Sequence, residues 1–321
     1  MRKILSALLF SLALLSCKED EVVDPTPVVV VPDKLETIQF SRDALYPEGI
    51  AYDASSSNFL VSSISKGTVG KVSLKGIYTP FLTSSKLIST LGIRVDSVRN
   101  RVLVAVGDLL NSPGTSTRDN LAAVAIFNLT TGASEAYIDL GILKEGKHLA
   151  NDIAVDADGN IYITDSFSPI IYKVDATGSA SIFLEDDAFA PLSVGEMAGL
   201  NGIVFHPDGY LIVSKMDEGV LFKIPVADPA NFTTITSAAL PGDGLLLTKD
   251  NKLVVMAPTL NKAYLVSSTN AWATATVDKT FETGNVWATT MARKDNDLYV
   301  LYTNDVAPTP ANNFVLQKLK F

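Results

Sequence analysis

A pattern that returns about every 48 residues constrains this chain more than any other feature of its sequence. Each copy opens on a residue that is usually polar, most often followed by Gly, and runs into a short apolar stretch. A second stretch of the Leu-hydrophobic-Val kind follows about ten residues later, often after an Asp, Asn or Gly turn. Glu48-Gly49-Ile50 leads to Phe59-Leu60-Val61, and Leu91-Gly92-Ile93 leads to Val102-Leu103-Val104. Asn151-Asp152-Ile153 leads to Ile161-Tyr162-Ile163, and Asn201-Gly202-Ile203 to Leu211-Ile212-Val213. Asp243-Gly244-Leu245 leads to Leu253-Val254-Val255, and a degenerate sixth copy near Ala288-Thr289 leads to Leu298-Tyr299-Val300.

A unit of this length holds four short strands and their turns. Asp158-Gly159-Asn160, Asp208-Gly209 and Lys249-Asp250-Asn251 supply the residues that hairpin turns favour. Further strand-like runs, such as Ile170–Val174 and Val220–Ile224, continue the copies, and no long stretch has a clean helical period. Six such units predict an all-β, six-bladed β-propeller over residues 35–321, an architecture that leaves few open sheet edges by repeating radially. The last unit offers only three strands, so Lys34–Phe40 is expected to return as its fourth and close the ring. No linker interrupts residues 41–321, which argues against two domains.

Composition narrows the function. The 321 residues carry 26 Lys and Arg against 35 Asp and Glu, a net charge of −9, so a nucleic-acid partner is not expected. One cysteine and two histidines, His148 and His206, exclude an intrachain disulfide, a cysteine-based zinc site and a three-histidine site.

The single cysteine also points to an address. Arg2 and Lys3 precede an apolar run, Ile4–Leu15, too short to span a membrane comfortably, and Leu14-Leu15-Ser16-Cys17 resembles a bacterial lipobox. Residues 1–16 are therefore expected to be a lipoprotein signal peptide and Cys17 the lipidated first residue. Its removal moves the net charge from −9 to −11. Lys18-Glu19-Asp20-Glu21 is similar to the surface-export signal of Bacteroidetes lipoproteins and reads equally as a solvated tether. The Pro- and Val-rich segment that follows completes a stiff tether over residues 17–34. An outer-membrane lipoprotein is expected, on the periplasmic face or the cell surface.

The ordered fragments PEGIAYD, STLGIRVD, NDIAVDADGNIYITDS and GLNGIVFHPDGYLIVS resemble the senescence-marker-protein/gluconolactonase/luciferin-regenerating-enzyme-like family, also described as calcium-dependent phosphotriesterase-like. The resemblance covers roughly residues 41–303. It implies a divalent metal at the channel mouth held by Glu48, Asn201 and Asp243, with Asn151 binding substrate or a metal-bound water. Equivalent positions of successive blades face one axis, so these residues should converge. Two carboxylates and amide oxygens suit Ca²⁺ first, then Mg²⁺, and tolerate Mn²⁺ or Zn²⁺. Sugar lactonases of the family carry an arginine two residues before the blade-three Asn; here Leu149 stands there, beside His148.

The expected activity is metal-dependent hydrolysis of a small lactone, ester or phosphoester by a monomeric, lipid-anchored protein. Asp243 and Asn151 would do the catalytic work. The competing reading is a non-catalytic propeller that binds a glycan or a protein. Asn201-Gly202 and Asp243-Gly244 are also pairs that turns at strand entries use. His148 reads either as an acid or base at the mouth or as a hydrogen-bonded surface residue, and His206 as part of a hairpin turn. Gly67–Val72 lacks the spacing and the Ser or Thr of a phosphate loop, and Asp156-Ala157-Asp158-Gly159 lacks the later ligands of an EF-hand. The longer connections, Gly107–Asn120 and Asp186–Leu200, are expected to shape the mouth.

Overall fold

The computed structural model describes residues 37–109, 119–194, 198–303 and 312–319, all within the unit Val31–Phe321. Expectations for residues 1–16, Cys17, the 17–34 tether and Lys34–Glu36 therefore lie outside the described residues. Among the described residues there is no α-helix, only five 3₁₀ turns, and no helix long and apolar enough to cross a membrane.

Six small antiparallel sheets form the six blades of a β-propeller. Blade one is Ile50–Asp53, Asn58–Val61, Thr68–Ser73 and Tyr78–Thr83; blade two is Ser89–Asp96, Arg101–Gly107, Ala123–Asn128 and Ser134–Asp139. Blade three is His148–Val155, Ile161–Asp165, Ile170–Val174 and Ala180–Glu185; blade four is Leu200–His206, Tyr210–Lys215, Val220–Pro225 and Thr233–Ile235. Blade five is Leu245–Leu247, Leu253–Ala257, Lys262–Ser267 and Thr276–Glu282. Blade six is Ala288–Lys294, Asp297–Tyr302 and Asn313–Leu319, with Thr37–Ser41 paired antiparallel outside them.

The core is divided among the blade interfaces. Each of six apolar clusters joins two neighbouring sheets, for example Ile38, Phe40 and Tyr299 of blade six with Ile50 and Phe59 of blade one. A second strand is covered on both faces, and therefore reads as a continuous apolar run. Leu253–Ala257 and Tyr210–Lys215 are buried at every residue. Outer strands lie at the rim and keep polar residues, as Thr276–Glu282 does.

Thr37–Ser41 joins the first and last parts of the chain. Its buried Ile38 and Phe40 alternate with exposed neighbours, and Phe40 meets Phe314 at 5.5 Å. Removing residues through Ser41 is expected to leave the Asn313–Leu319 edge unpaired, lower the melting temperature by several degrees and promote aggregation. Melting and light scattering check this; an unchanged melt of a monomeric truncation contradicts it.

Blade three departs from the four-strand expectation. Asn120–Leu121 runs parallel to His148–Leu149 as a fifth strand, and the Asp119 carbonyl accepts the His148 N–H at 2.9 Å. The connection from blade two thus satisfies backbone groups at the inner edge of blade three that would otherwise face the channel unpaired.

Candidate functional site

The site is built from one backbone irregularity repeated around the channel. In blades two, three, four and six the ladder between first and second strands jumps, so that two inner residues oppose one partner. The paired residues flanking the jumps are Thr90 and Ile93, Ala150 and Ile153, Leu200 and Ile203, and Ala288 and Met291. In blades one and five the ladder starts immediately after the equivalent pair, at Ile50 and Leu245. The residues left out are Glu48-Gly49, Leu91-Gly92, Asn151-Asp152, Asn201-Gly202, Asp243-Gly244 and Thr289-Thr290. Bulges of this kind re-aim side chains and bend the strand. Here they turn one residue per blade toward the channel axis.

The second member of each pair sits where neighbouring inner strands nearly touch. A Cβ on Gly49 would run into the carbonyl oxygen of Leu91, and one on Gly202 into that of Asp243. That is why Gly recurs after the opening residue. Asp152 and Thr290 are the exceptions. The Asp152 carboxylate fits by accepting the N–H groups of Ile153 at 2.7 Å and of Ile203, in blade four, at 3.1 Å.

Glu48, Asn151, Asn201 and Asp243 line one narrow chamber with Asp152 and Thr290. The same four also floor a wider mouth of about 270 Å³. The four residues singled out from the sequence are thus brought together at one level of the channel. Asn151, Asn201 and Asp243 are buried, and Glu48 keeps some exposure because it faces the lumen. The Asn151 Nδ2 donates to Ser166 Oγ at 2.8 Å, and that hydroxyl donates to the Leu200 carbonyl at 2.7 Å. This relay aims Asn151 Oδ1 away from Ser166, and Oδ1 is buried with no hydrogen-bond partner; the same holds for Glu48 Oε2. Cross-blade hydroxyl bonds hold the bulges themselves: Thr164 Oγ1 donates to the Asn201 carbonyl and Thr289 Oγ1 to that of Glu48, both at 2.7 Å.

The electrostatics follow from putting carboxyls in a protein-walled chamber. Burial, then repulsion from Asp243 and Asp152, drives Glu48 well above the ordinary carboxyl range. Burial pushes Asp243 up to about 7, against a hydrogen bond from Asn201 and with a further push from Asp152. Asp152 is also raised by burial, although the Arg94 charge and its two backbone bonds oppose this. Arg94 reaches from blade two to donate to the Ile153 carbonyl at 2.9–3.0 Å and lines a separate cavity of about 490 Å³ on the channel's other side.

The mouth wall is set by a second network. Asp165, fully buried, accepts from Leu149 N at 2.9 Å, Phe167 N at 3.0 Å, Ser168 N at 3.1 Å and Tyr172 Oη at 2.9 Å. Its other contact is His148 Nδ1 at 2.7 Å, while His148 Nε2 meets the Lys144 carbonyl at 2.8 Å. Burial alone would lower the His148 pKa; the bond and charge of Asp165 and the Lys144 carbonyl raise it. His148 is therefore neither a surface residue nor free for acid–base work: it is buried and both ring nitrogens are engaged. His206 stacks on Tyr210 with centroids 4.4 Å apart, within the hairpin turn expected for it. Asp156 accepts from Asn160 N at 2.9 Å in an ordinary strand-to-strand turn.

Asp152, Arg94, Asp165 and Thr290 were not marked as site residues by the sequence pattern. Asp152 could have been: it stands where the other repeats, the sixth excepted, have Gly. Leu109 and Ala198, from the two longer connections, do line the mouth; residues 110–118 and 195–197 lie outside the described residues. Cys17 does too. Among the described residues no group of three or more His, Cys, Asp or Glu is placed to hold a metal, so a cation here would depend on the amide oxygens.

No family model and no curated protein matches the chain. Solved structures do. The major Malassezia sympodialis allergen Mala s 1 superposes with a TM-score of 0.71 at 18% identity over 88% of this chain and 96% of that one. A luciferin-regenerating enzyme gives a TM-score of 0.62 at 13% identity, over 90% and 96%. A structural-genomics target proposed to be a gluconolactonase gives 0.59 at 14%, over 90% and 96%. Identities this low establish a shared six-bladed fold.

Proposed function

We propose that this chain is a divalent-metal-dependent hydrolase of a small lactone, ester or phosphoester. The observation that carries the reading is a pair of buried oxygens without partners, Glu48 Oε2 and Asn151 Oδ1, facing the same chamber as the raised carboxyl of Asp243. Buried polar atoms are nearly always satisfied, and two on one lumen, beside mutually repelling carboxyls, fit a bound hard cation. Glu48, Asn201 and Asp243 would hold it, Ca²⁺ by preference. When bound, the ion supplies Lewis-acid polarisation of the scissile carbonyl or phosphoryl group. Asp243 takes the proton of the attacking water. Asn151, its amide held by Ser166, uses Oδ1 to orient that water or a substrate hydroxyl. The fold shared with a luciferin-regenerating enzyme and a gluconolactonase target supports this reading.

Arylester and lactone turnover is expected with Ca²⁺ and not with a chelator. Glu48→Gln is expected to lower kcat/KM by at least roughly a hundredfold, the upper end of what changes around metal ligands cost. Metal binding with no turnover across the panel would leave the non-catalytic binding module instead.

The lipobox-like sequence supports a lipid anchor at Cys17. Cys17→Ala is expected to move the protein from the membrane to the soluble fraction or to stall its processing; unchanged membrane association contradicts the anchor.

A further inference from the structure

We propose that the site selects neutral lactones and esters with an apolar body, and rejects both anionic phosphoesters and hydroxyl-rich sugar lactones; this rests on the hydrolase reading above. The mouth of about 270 Å³ is walled by Leu91, Leu109, Leu149, Phe167, Met216 and Trp287. Among the described residues no Lys, Arg or His lines the mouth or the chamber beneath it. Arg94, whose charge acts on Asp152, spends its Nε and Nη2 on carbonyls of blades three and four. A divalent cation would be balanced by Glu48 and Asp243, leaving nothing to offset a charged phosphoryl group. Hydroxyl-rich rings fare no better. Among the described residues the other polar groups at the mouth are Thr259, the indole N–H of Trp287 and, at the blade-six opening, Thr289, whose Oγ1 already donates to Glu48 O at 2.7 Å. With so few partners, most hydroxyls of a sugar ring placed against the wall would lose their water without a replacement bond.

The wall is fixed, not incidental. Leu149 and Phe167 hang from one carboxylate, their N–H groups donating to Asp165 Oδ1 at 2.9 and 3.0 Å. Leu149 Cδ1 fills the space over Gly107 that a larger residue there would take. Trp287 holds a left-handed backbone with φ 45°, and its carbonyl accepts Thr303 Oγ1 at 2.7 Å. The left-handed region is costly for a bulky residue and marks a conformation that its surroundings enforce.

In the reaction, water oxygen bonds to the acyl carbon as the ring C–O bond breaks. One water proton goes to the released alkoxide, giving the hydroxyl, and the other leaves as the carboxylic acid ionises. The head of the substrate lies on the floor and its tail on the wall.

The test compares γ-butyrolactone, γ-octalactone, glucono-δ-lactone and an aryl phosphate in Ca²⁺, with a γ-butyl lactam as an unreactive probe. Binding of the lactam is read from Trp287 emission in a Trp272→Phe background, which leaves Trp287 as the only indole because the chain has 2 Trp. At about fourfold per buried methylene, kcat/KM is expected to rise on the order of a hundredfold from butyrolactone to octalactone. The lactam is expected to shift Trp287 emission saturably. Leu149→Arg is expected to erase the tail preference, and calorimetric Ca²⁺ binding shows that the variant is folded. Turnover that favours glucono-δ-lactone or the phosphate, or no tail preference and no lactam binding, overturns the selectivity. Saturable lactam binding without turnover of any ester overturns the hydrolase reading and leaves the selectivity of the mouth standing.

Discussion

Asp243→Ala is expected to abolish Ca²⁺-dependent turnover, a loss of at least roughly a thousandfold in kcat/KM, while making the metal-free protein more stable above neutral pH. Both halves come from the same carboxyl. Asp243 is buried with Glu48 and Asp152 around one lumen, and burial holds it up to about 7. An acid with a raised folded value retains its proton longer than the unfolded chain does. The folded state therefore loses stability as pH climbs from the unfolded carboxyl range, about 4, to about 7, and recovers none above it. The cost of ionising Asp243 is on the order of a few kcal/mol. Alanine removes it. Denaturant melts of the metal-free proteins at about pH 5 and about pH 8 should show the wild type falling more steeply than the variant, in which Glu48 and Asp152 remain raised by burial. A variant that loses both turnover and fold at every pH contradicts a role confined to the lumen.

Asp165→Ala is expected to have the largest effect on stability. The carboxylate accepts from three backbone N–H groups, Tyr172 Oη and His148, all in the interior. Its removal strands these donors and costs about 3–5 kcal/mol. At about 2–4 °C per kcal/mol for a domain of this class, the melt should drop by roughly 10 °C. The pH profile carries a signature as well. His148 has a raised folded pKa, so its contribution is full below the unfolded value, about 6.5, and fades as pH rises through the folded one. The variant should lose that dependence. Because Leu149 and Phe167 hang from the same carboxylate, its lactam affinity should fall too. A melt within a degree or two of the wild type contradicts this.

Much of the molecule is legible in the sequence for a reason specific to its bulges. At each blade opening the chain needs one residue aimed at the axis and then a compact one where neighbouring strands meet. Glu48-Gly49, Asn201-Gly202 and Asp243-Gly244 therefore repeat visibly at blade spacing. The repeat also weakens where that rule is met otherwise. Asp152 replaces Gly because Ile153 and Ile203 donate to its carboxylate, and the second of these donors belongs to another blade. Thr290 replaces Gly in blade six, which is why the sixth copy looked degenerate. Asp165 reads as the end of a strand. Its five donors come from residues up to 17 positions away from it in the chain, so only the folded blade collects them. Asn120–Leu121 was illegible because a two-residue parallel pairing has no periodicity to show.

If the blade openings form one cation site, Ca²⁺ must release protons as it binds. The metal-free protein is titrated calorimetrically at about pH 6.5 in two buffers of different ionisation enthalpy, because a cation that takes carboxylate ligands must displace their protons. Asp243, held up to about 7, should still be largely protonated there, beside a Glu48 that burial also raises. Saturation at one Ca²⁺ per chain is expected, with net proton release that is smaller in Asp243→Asn. No saturable heat at millimolar Ca²⁺, or binding with no proton release that Asp243→Asn leaves intact, would contradict it.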